Sequence, residues 1–148
     1  MTGHCHHKAT GGISPEKQLL EKMGLEVEEL DSGCCGMAGG WGYEPDHYDV
    51  SVACGERVLL PKVREASPET LIVADGFSCR SQIEQCDTGR DGMHIAEVIK
   101  LARDVGTIPT YPERALSAPA SKNGHGKAAA LLGAGAIAAA AALAYRSK

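Results

Sequence analysis

Two adjacent cysteines, Cys34 and Cys35, sit inside the glycine-rich stretch Asp31-Ser32-Gly33-Cys34-Cys35-Gly36-Met37-Ala38-Gly39-Gly40. This stretch constrains the chain more than any other. It follows Leu25-Glu26-Val27-Glu28-Glu29-Leu30, where apolar and acidic residues alternate as in a half-buried strand. Neighbouring side chains on a strand point to opposite faces. Both thiols can aim at one centre only if the backbone turns sharply, and Gly33 and Gly36 allow that turn. A buried structural cysteine needs no such arrangement. The stretch is therefore read as half of a thiolate cage.

The other half is sought among Cys5, Cys54, Cys79 and Cys86. Met1-Thr2-Gly3-His4-Cys5-His6-His7-Lys8 has no apolar signal core, so a cytoplasmic body with reduced thiols is expected. Clustered cysteines there more often bind metal than pair; a disulfide framework is the alternative. Cys79 closes Thr70-Leu71-Ile72-Val73-Ala74-Asp75-Gly76-Phe77-Ser78-Cys79, whose continuous apolar run reads as a strand buried on both faces. Cys34-Cys35 and Cys79 thus both follow a strand, at the edge where α/β folds build their sites. Cys54 lies on the apolar stripe of a helix and reads as a small buried hydrophobe. The expected ligands are Cys5, Cys34, Cys35 and Cys79, with Cys86 and His6 as further candidates.

Four thiolates suit an iron–sulfur cluster or a structural zinc. Zinc sites usually draw on short C-x₂₋₄-C knuckles. Here 28 residues separate Cys5 from Cys34 and 43 separate Cys35 from Cys79, so a cluster, of the 4Fe–4S kind, is the expectation. His4 and His7 flank Cys5, and His47 and His94 are candidate tuning or proton-carrying groups with ordinary packing as the alternative. Asp75 and Arg80 beside Cys79 set local charge or form a loop salt bridge. Trp41 and Tyr43 shield the centre or fill the core.

Helices are expected at Ser14–Gly24, from Glu44 to about Ala66 with a break at Pro61, near Ser81–Gln85, and at Ile95–Val105. With the two strands and a short third at Met93-His94, this predicts an α/β unit: a small parallel sheet with flanking helices, a Rossmann-like half. The first candidate ligand has no strand before it. Either that strand is missing or another chain supplies it.

Residues 1–106 carry 10 basic and 18 acidic side chains, and residues 107–148 carry 5 basic and 1 acidic. The acidic body argues against nucleic acid as a partner. Residues 1–105 form the expected cysteine-rich domain, and the Pro-, Ser- and Gly-containing stretch 106–127 reads as a flexible linker. Ala128–Tyr145 is an 18-residue uncharged run, 11 of them alanine, between Lys127 and Arg146. As a helix it would be about 27 Å long, near the roughly 30 Å of a bilayer core. A C-terminal apolar helix is expected, tail-anchoring the body to the inner membrane. A soluble alanine-rich helix or a disordered tail is the alternative.

Gly33-Cys34-Cys35-Gly36 resembles the CCG motif of the cysteine-rich domains found in heterodisulfide reductases and in the iron–sulfur subunits of glycolate oxidases. The nearer resemblance is to the closing segment of FAD-linked oxidases with fused iron–sulfur domains, of the D-2-hydroxyglutarate or D-lactate dehydrogenase type. It is carried by Gly3-His4-Cys5-His6-His7-Lys8-Ala9, Leu30 to Gly39, Tyr43-Glu44, His47-Tyr48-Asp49-Val50, Gly55-Glu56-Arg57-Val58-Leu59 and Ala74-Asp75-Gly76-Phe77-Ser78-Cys79-Arg80. It covers about residues 3–100. The resemblance implies an electron-transfer domain of a 2-hydroxy-acid dehydrogenase, relaying electrons from an FAD held by a partner or missing domain to a quinone or another carrier. Gln82 stands where the family motif often carries a further cysteine, which implies four ligands rather than five. A zinc interaction module and an inactive remnant of a longer oxidase are the alternatives.

Overall fold

The structure, a computed structural model, describes residues 1–117. It is built of seven helices among these residues: α1 (Cys5–Thr10), α2 (Ser14–Lys22), α3 (Tyr48–Glu56), α4 (Leu59–Glu65), α5 (Phe77–Gln85), α6 (Ile95–Val105) and α7 (Pro112–Ser117), with a 3₁₀ turn at Trp41–Tyr43.

The expected parallel sheet is not formed. Among the described residues there is no strand, only the isolated parallel bridges Thr2–Ala74 and Val73–Met93. The reason lies in the lengths of the neighbours. Met1 and Thr2 are followed almost at once by α1, and Met93 sits directly before His94, the N-cap of α6. Each offers a single residue to pair, so no ladder propagates along 70–74 or 25–30.

The periodicities still mark the faces correctly. Along 25–30 the apolar residues are half-buried and the glutamates exposed. Ile72 and Ala74 point into one core cluster with Leu59, Val63 and Ile83 from α4 and α5. Val73, between them, points into a second cluster with Leu20 of α2 and Val98 and Leu101 of α6. The apolar run is thus covered on both sides, as extended chain with alternating side chains must be when helices lie on either side.

The helix starting at Ser14 begins there, with Ile13 as its N-cap. The long helix expected from Glu44 is divided at Arg57-Val58, and Pro61 falls in the first turn of α4, where a missing N–H costs nothing. The helix near Ser81 starts earlier, at Phe77, and takes Cys79 into its first turn. α6 runs over Ile95–Val105 as its pattern predicts. His94 and Glu97 form a reciprocal capping box at its start, and Gly106 closes it at φ 74°.

Helix α7 lies within the stretch read as a linker. Its Glu113 pairs with Arg90 through Nε–Oε1 at 2.7 Å and Nη2–Oε2 at 3.2 Å, both side chains nearly inaccessible. Arg90 also donates to the carbonyls of Ser67 (3.0 Å) and Thr70 (2.6 Å). Residues 118–127 and the apolar run 128–145 lie outside the described residues. Among the described residues no helix is long and apolar enough to cross a membrane.

Candidate metal centre

The Cys34–Cys35 loop is shaped by glycine. Gly33 and Gly36 have φ of 62° and 99°. A Cβ on Gly36 would lie 2.0 Å from the carbonyl oxygen of Ser51, so only glycine lets the loop rest on α3. The Gly36 amide donates to Cys34 Sγ at 3.3 Å. Lys8 of α1 donates to the Gly33 carbonyl at 2.8 Å, and the Gly39 amide donates to Ser78 Oγ of α5 at 3.2 Å. The loop is therefore tied to both helices that carry the other two thiols.

Cys5 is the first residue of α1 and Cys79 the third of α5. Their thiols stand at helix N-termini, where the macrodipole favours negative charge. Gly76 lets these segments close on each other: a Cβ there would come within 2.9 Å of His4 and 3.2 Å of Cys79 Sγ.

The thiols meet in two pairs. Cys79 donates to Cys35, and both are buried in the same core cluster. This bond is the largest effect on Cys35. With the backbone amides of Met37 and Ala38 it outweighs burial and brings the thiol down to about 6. The same bond, then burial, then the fields of Cys35, Cys5 and Cys34, drive Cys79 far up. Cys5 is raised by burial first, then by its hydrogen bond to Cys34 and the nearness of Cys34 and Cys35. Cys34 is exposed. Cys5 and Cys79 thus both feel the charge of Cys34 and Cys35. Among the described residues, however, no three His, Cys, Asp or Glu side chains converge on a point that could hold one metal ion.

The remaining candidates fall elsewhere. Cys86 caps α5 beside Glu56, Arg64 and Asp87, and burial raises its thiol. Cys54 is half-buried on α3. His6 is exposed, and His7 pairs with Glu16 at 3.2 Å. His47 stacks on Trp41, with ring centroids 4.2 Å apart, and His94 caps α6. Trp41 and Tyr43 are both more than a third exposed, on the surface rather than in the core. Arg80 and Asp75 do not pair. Arg80 donates to the carbonyls of Ala74 and Asp75, while the Asp75 carboxylate accepts from the Ile95 amide.

Sequence reasoning missed the groups that hold the loop: Lys8, Ser78, the Met37 and Ala38 amides, and Gln82. Gln82 is buried and donates to the Ser51 carbonyl at 3.0 Å, the same carbonyl that Gly36 presses against. The signal for it was a polar residue on the apolar side of α5.

The relatives of this chain are dehydrogenase polypeptides, and the resemblance carried by the cysteine motifs is borne out. Over 81 residues it is 37% identical to one of the subunits of the anaerobic glycerol-3-phosphate dehydrogenase of Escherichia coli K12, covering 54% of this chain and 20% of that polypeptide. It is 29% identical over 87 residues to the D-2-hydroxyglutarate dehydrogenase of the same organism, covering 57% of this chain and 8% of the relative. With the D-2-hydroxyglutarate dehydrogenase of Pseudomonas putida it shares 30% identity over 102 residues, 67% of this chain and 10% of that one. The chain thus spans a fifth or less of the curated relatives it matches. No protein-family model and no solved structure matches it.

Proposed function

We propose that Cys5, Cys34, Cys35 and Cys79 hold one iron–sulfur cluster, of the 4Fe–4S kind, and that this chain is an electron-transfer part of a dehydrogenase that oxidises a hydroxy compound with FAD on a partner polypeptide. One observation carries the reading: four soft thiols, delivered by three separated segments, gather around a single glycine loop. The donor chemistry fits. Four cysteine thiolates are the usual ligands of such clusters. A lone zinc ion needs all its sulfurs about 2.3 Å from one point, and the thiols here stand as two pairs. A cluster gives each thiolate its own iron, which suits that spread.

When bound, such a cluster takes up and releases single electrons. The chain's own residues do the rest. The Gly36, Met37 and Ala38 amides direct N–H groups at the cysteine sulfurs, which favours the thiolate needed for ligation. The first turns of α1 and α5 add their dipoles. Met37, Leu59 and Ile83 exclude water from the Cys35–Cys79 side, and exposed Cys34 leaves the other side open to a partner.

The test is anaerobic reconstitution of the full chain with iron and sulfide. About four irons per chain and a broad visible absorbance that dithionite bleaches are expected. Folded protein that stays colourless and binds no iron overturns the reading.

A further inference from the structure

Lys8 stands three residues after Cys5 on α1, so the two share one face of that helix. Its stem lies over Gly3, where a Cβ would come within 3.0 Å of Lys8 Cγ. Its ammonium donates to the Gly33 carbonyl at 2.8 Å, and the Cys5 thiol donates to the same oxygen at 3.9 Å. Gly33 directly precedes Cys34, the hydrogen-bond partner of Cys5. Cys34 is exposed and Cys5 half-buried, whereas Cys35 and Cys79 are buried. A cation is therefore held by stem and head beside the more open of the two thiol pairs.

The Gly33 carbonyl by itself does not call for a charge. Gly33 is exposed, and an uncharged amide side chain could donate to it as well. What the ammonium adds is charge that no ion pair offsets. Among the described residues Lys8 enters no salt bridge, although residues 1–106 carry 18 acidic side chains. On the same helix His7, not Lys8, takes the Glu16 carboxylate, at 3.2 Å. The field of Lys8 is turned to sulfur instead. Burial and the bond to Cys34 raise the Cys5 thiol, and Lys8 pulls it down.

We propose that Lys8 is the fixed countercharge of the cluster site and holds up the potential at which that site accepts an electron. The inference rests on the cluster reading above. In the step concerned a reduced flavin gives up one electron and the site gains it, with no proton moved and no bond exchanged. The site, anionic already through its four thiolates, ends one charge more negative. A neighbouring cation favours that state over the oxidised one. Lys8 is no ligand; it acts across the sulfurs of Cys5 and Cys34, and dissolved salt weakens it because its head is near solvent.

The experiment compares the full chain with Lys8→Gln and Lys8→Arg. Glutamine keeps a donor for the Gly33 carbonyl and drops the charge, while arginine keeps both. After anaerobic reconstitution each is titrated with dithionite at known potentials and followed by its visible absorbance. Iron content is expected to be the same in all three. Lys8→Arg is expected to titrate with the wild type, and Lys8→Gln at a more negative potential, with the gap narrowing as salt is raised. Lys8→Gln at the wild-type potential in low salt overturns the proposal, and Lys8 is then a hook for the loop and nothing more.

A second measurement uses the iron-free chain. Cys34 is alkylated with anionic iodoacetate and with neutral iodoacetamide, and the product is identified by mass. Both reagents attack the same thiolate, so the ratio of their rates cancels its population and reads the local charge. Lys8→Gln is expected to lower the iodoacetate-to-iodoacetamide ratio by about twofold or more, and Lys8→Arg to keep it. An unchanged ratio overturns the proposal. Wild-type chain that takes up no iron overturns the cluster reading and with it the role in the potential, while the alkylation ratio decides by itself whether the charge acts on the thiols.

Discussion

Gly36 rests against Ser51 so closely that a single added carbon would come within 2.0 Å of the Ser51 carbonyl oxygen. This contact sets the Cys34–Cys35 loop on α3, and it is backbone against backbone, so no rotamer change can relieve it. Gly36 also has a φ of 99°, a region unfavourable to any side chain. Gly36→Ala is expected to destabilise the chain by about 3 kcal/mol, combining clash and strain. Gly33, with φ 62° and open space around it, carries the strain without the clash. Gly33→Ala is therefore expected to cost about 1 kcal/mol. Thermal unfolding of the two variants measures the difference.

The loop also explains how much could be read from the chain. Gly33 and Gly36 beside paired cysteines announce a turn, because few other residues adopt those angles. The helix at Ile95–Val105 is equally plain, since its stripe and the closing Gly106 are local signals. Pairing of extended segments is not local. Leu25–Leu30 and Thr70–Ala74 have the right alternation, but pairing along Thr70–Ala74 is limited to Thr2 and Met93, which offer one paired residue each, and Leu25–Leu30 enters no bridge among the described residues. The Arg90–Glu113 pair was likewise invisible: 22 residues lie between the partners, and a proline- and serine-rich stretch gives no periodic sign of a buried glutamate.

Gln82 holds the same carbonyl from the other side, its Nε2 3.0 Å from the Ser51 oxygen. The glutamine is buried, so truncation leaves the carbonyl without this donor in a place water does not reach. Gln82→Leu is expected to lower stability by about 1–3 kcal/mol. Gln82→Glu, which removes the donor and adds buried charge, is expected to cost more. Denaturant unfolding of the iron-free chain reads both.

Burial raises the Glu113 carboxyl, but hydrogen bonds from Arg90 and from backbone amides outweigh it and leave it below its ordinary value of 4.5. The native group therefore holds its charge to lower pH than the unfolded one. Its contribution is complete above the ordinary value and is lost as pH falls through the native one. Glu113→Gln is expected to flatten the acid side of the stability curve in that window. At neutral pH, Glu113→Ala leaves buried Arg90 without its carboxylate and is expected to cost about 3 kcal/mol. Unfolding midpoints taken from pH 3 to pH 7, on the order of one unit apart, test both expectations.

The four thiols differ in burial, and that predicts an ordered response to substitution. Cys34 is exposed, so Cys34→Ala is expected to leave the iron-free fold intact while abolishing stable iron binding. Cys79→Ala removes a buried sulfur and its bond to Cys35. It is expected to lose iron binding and also about 1–2 kcal/mol of stability. Cys86 lies beside Arg64 and Glu56 rather than among the four, so Cys86→Ala is expected to retain full iron content. Whatever binds only the native chain also stabilises it. Stripping iron with a chelator is therefore expected to lower the melting temperature of the wild type and of Cys86→Ala equally, and to leave that of Cys34→Ala unchanged. Iron analysis with parallel melting curves decides the matter, and iron loss in Cys86→Ala would place the fourth ligand elsewhere.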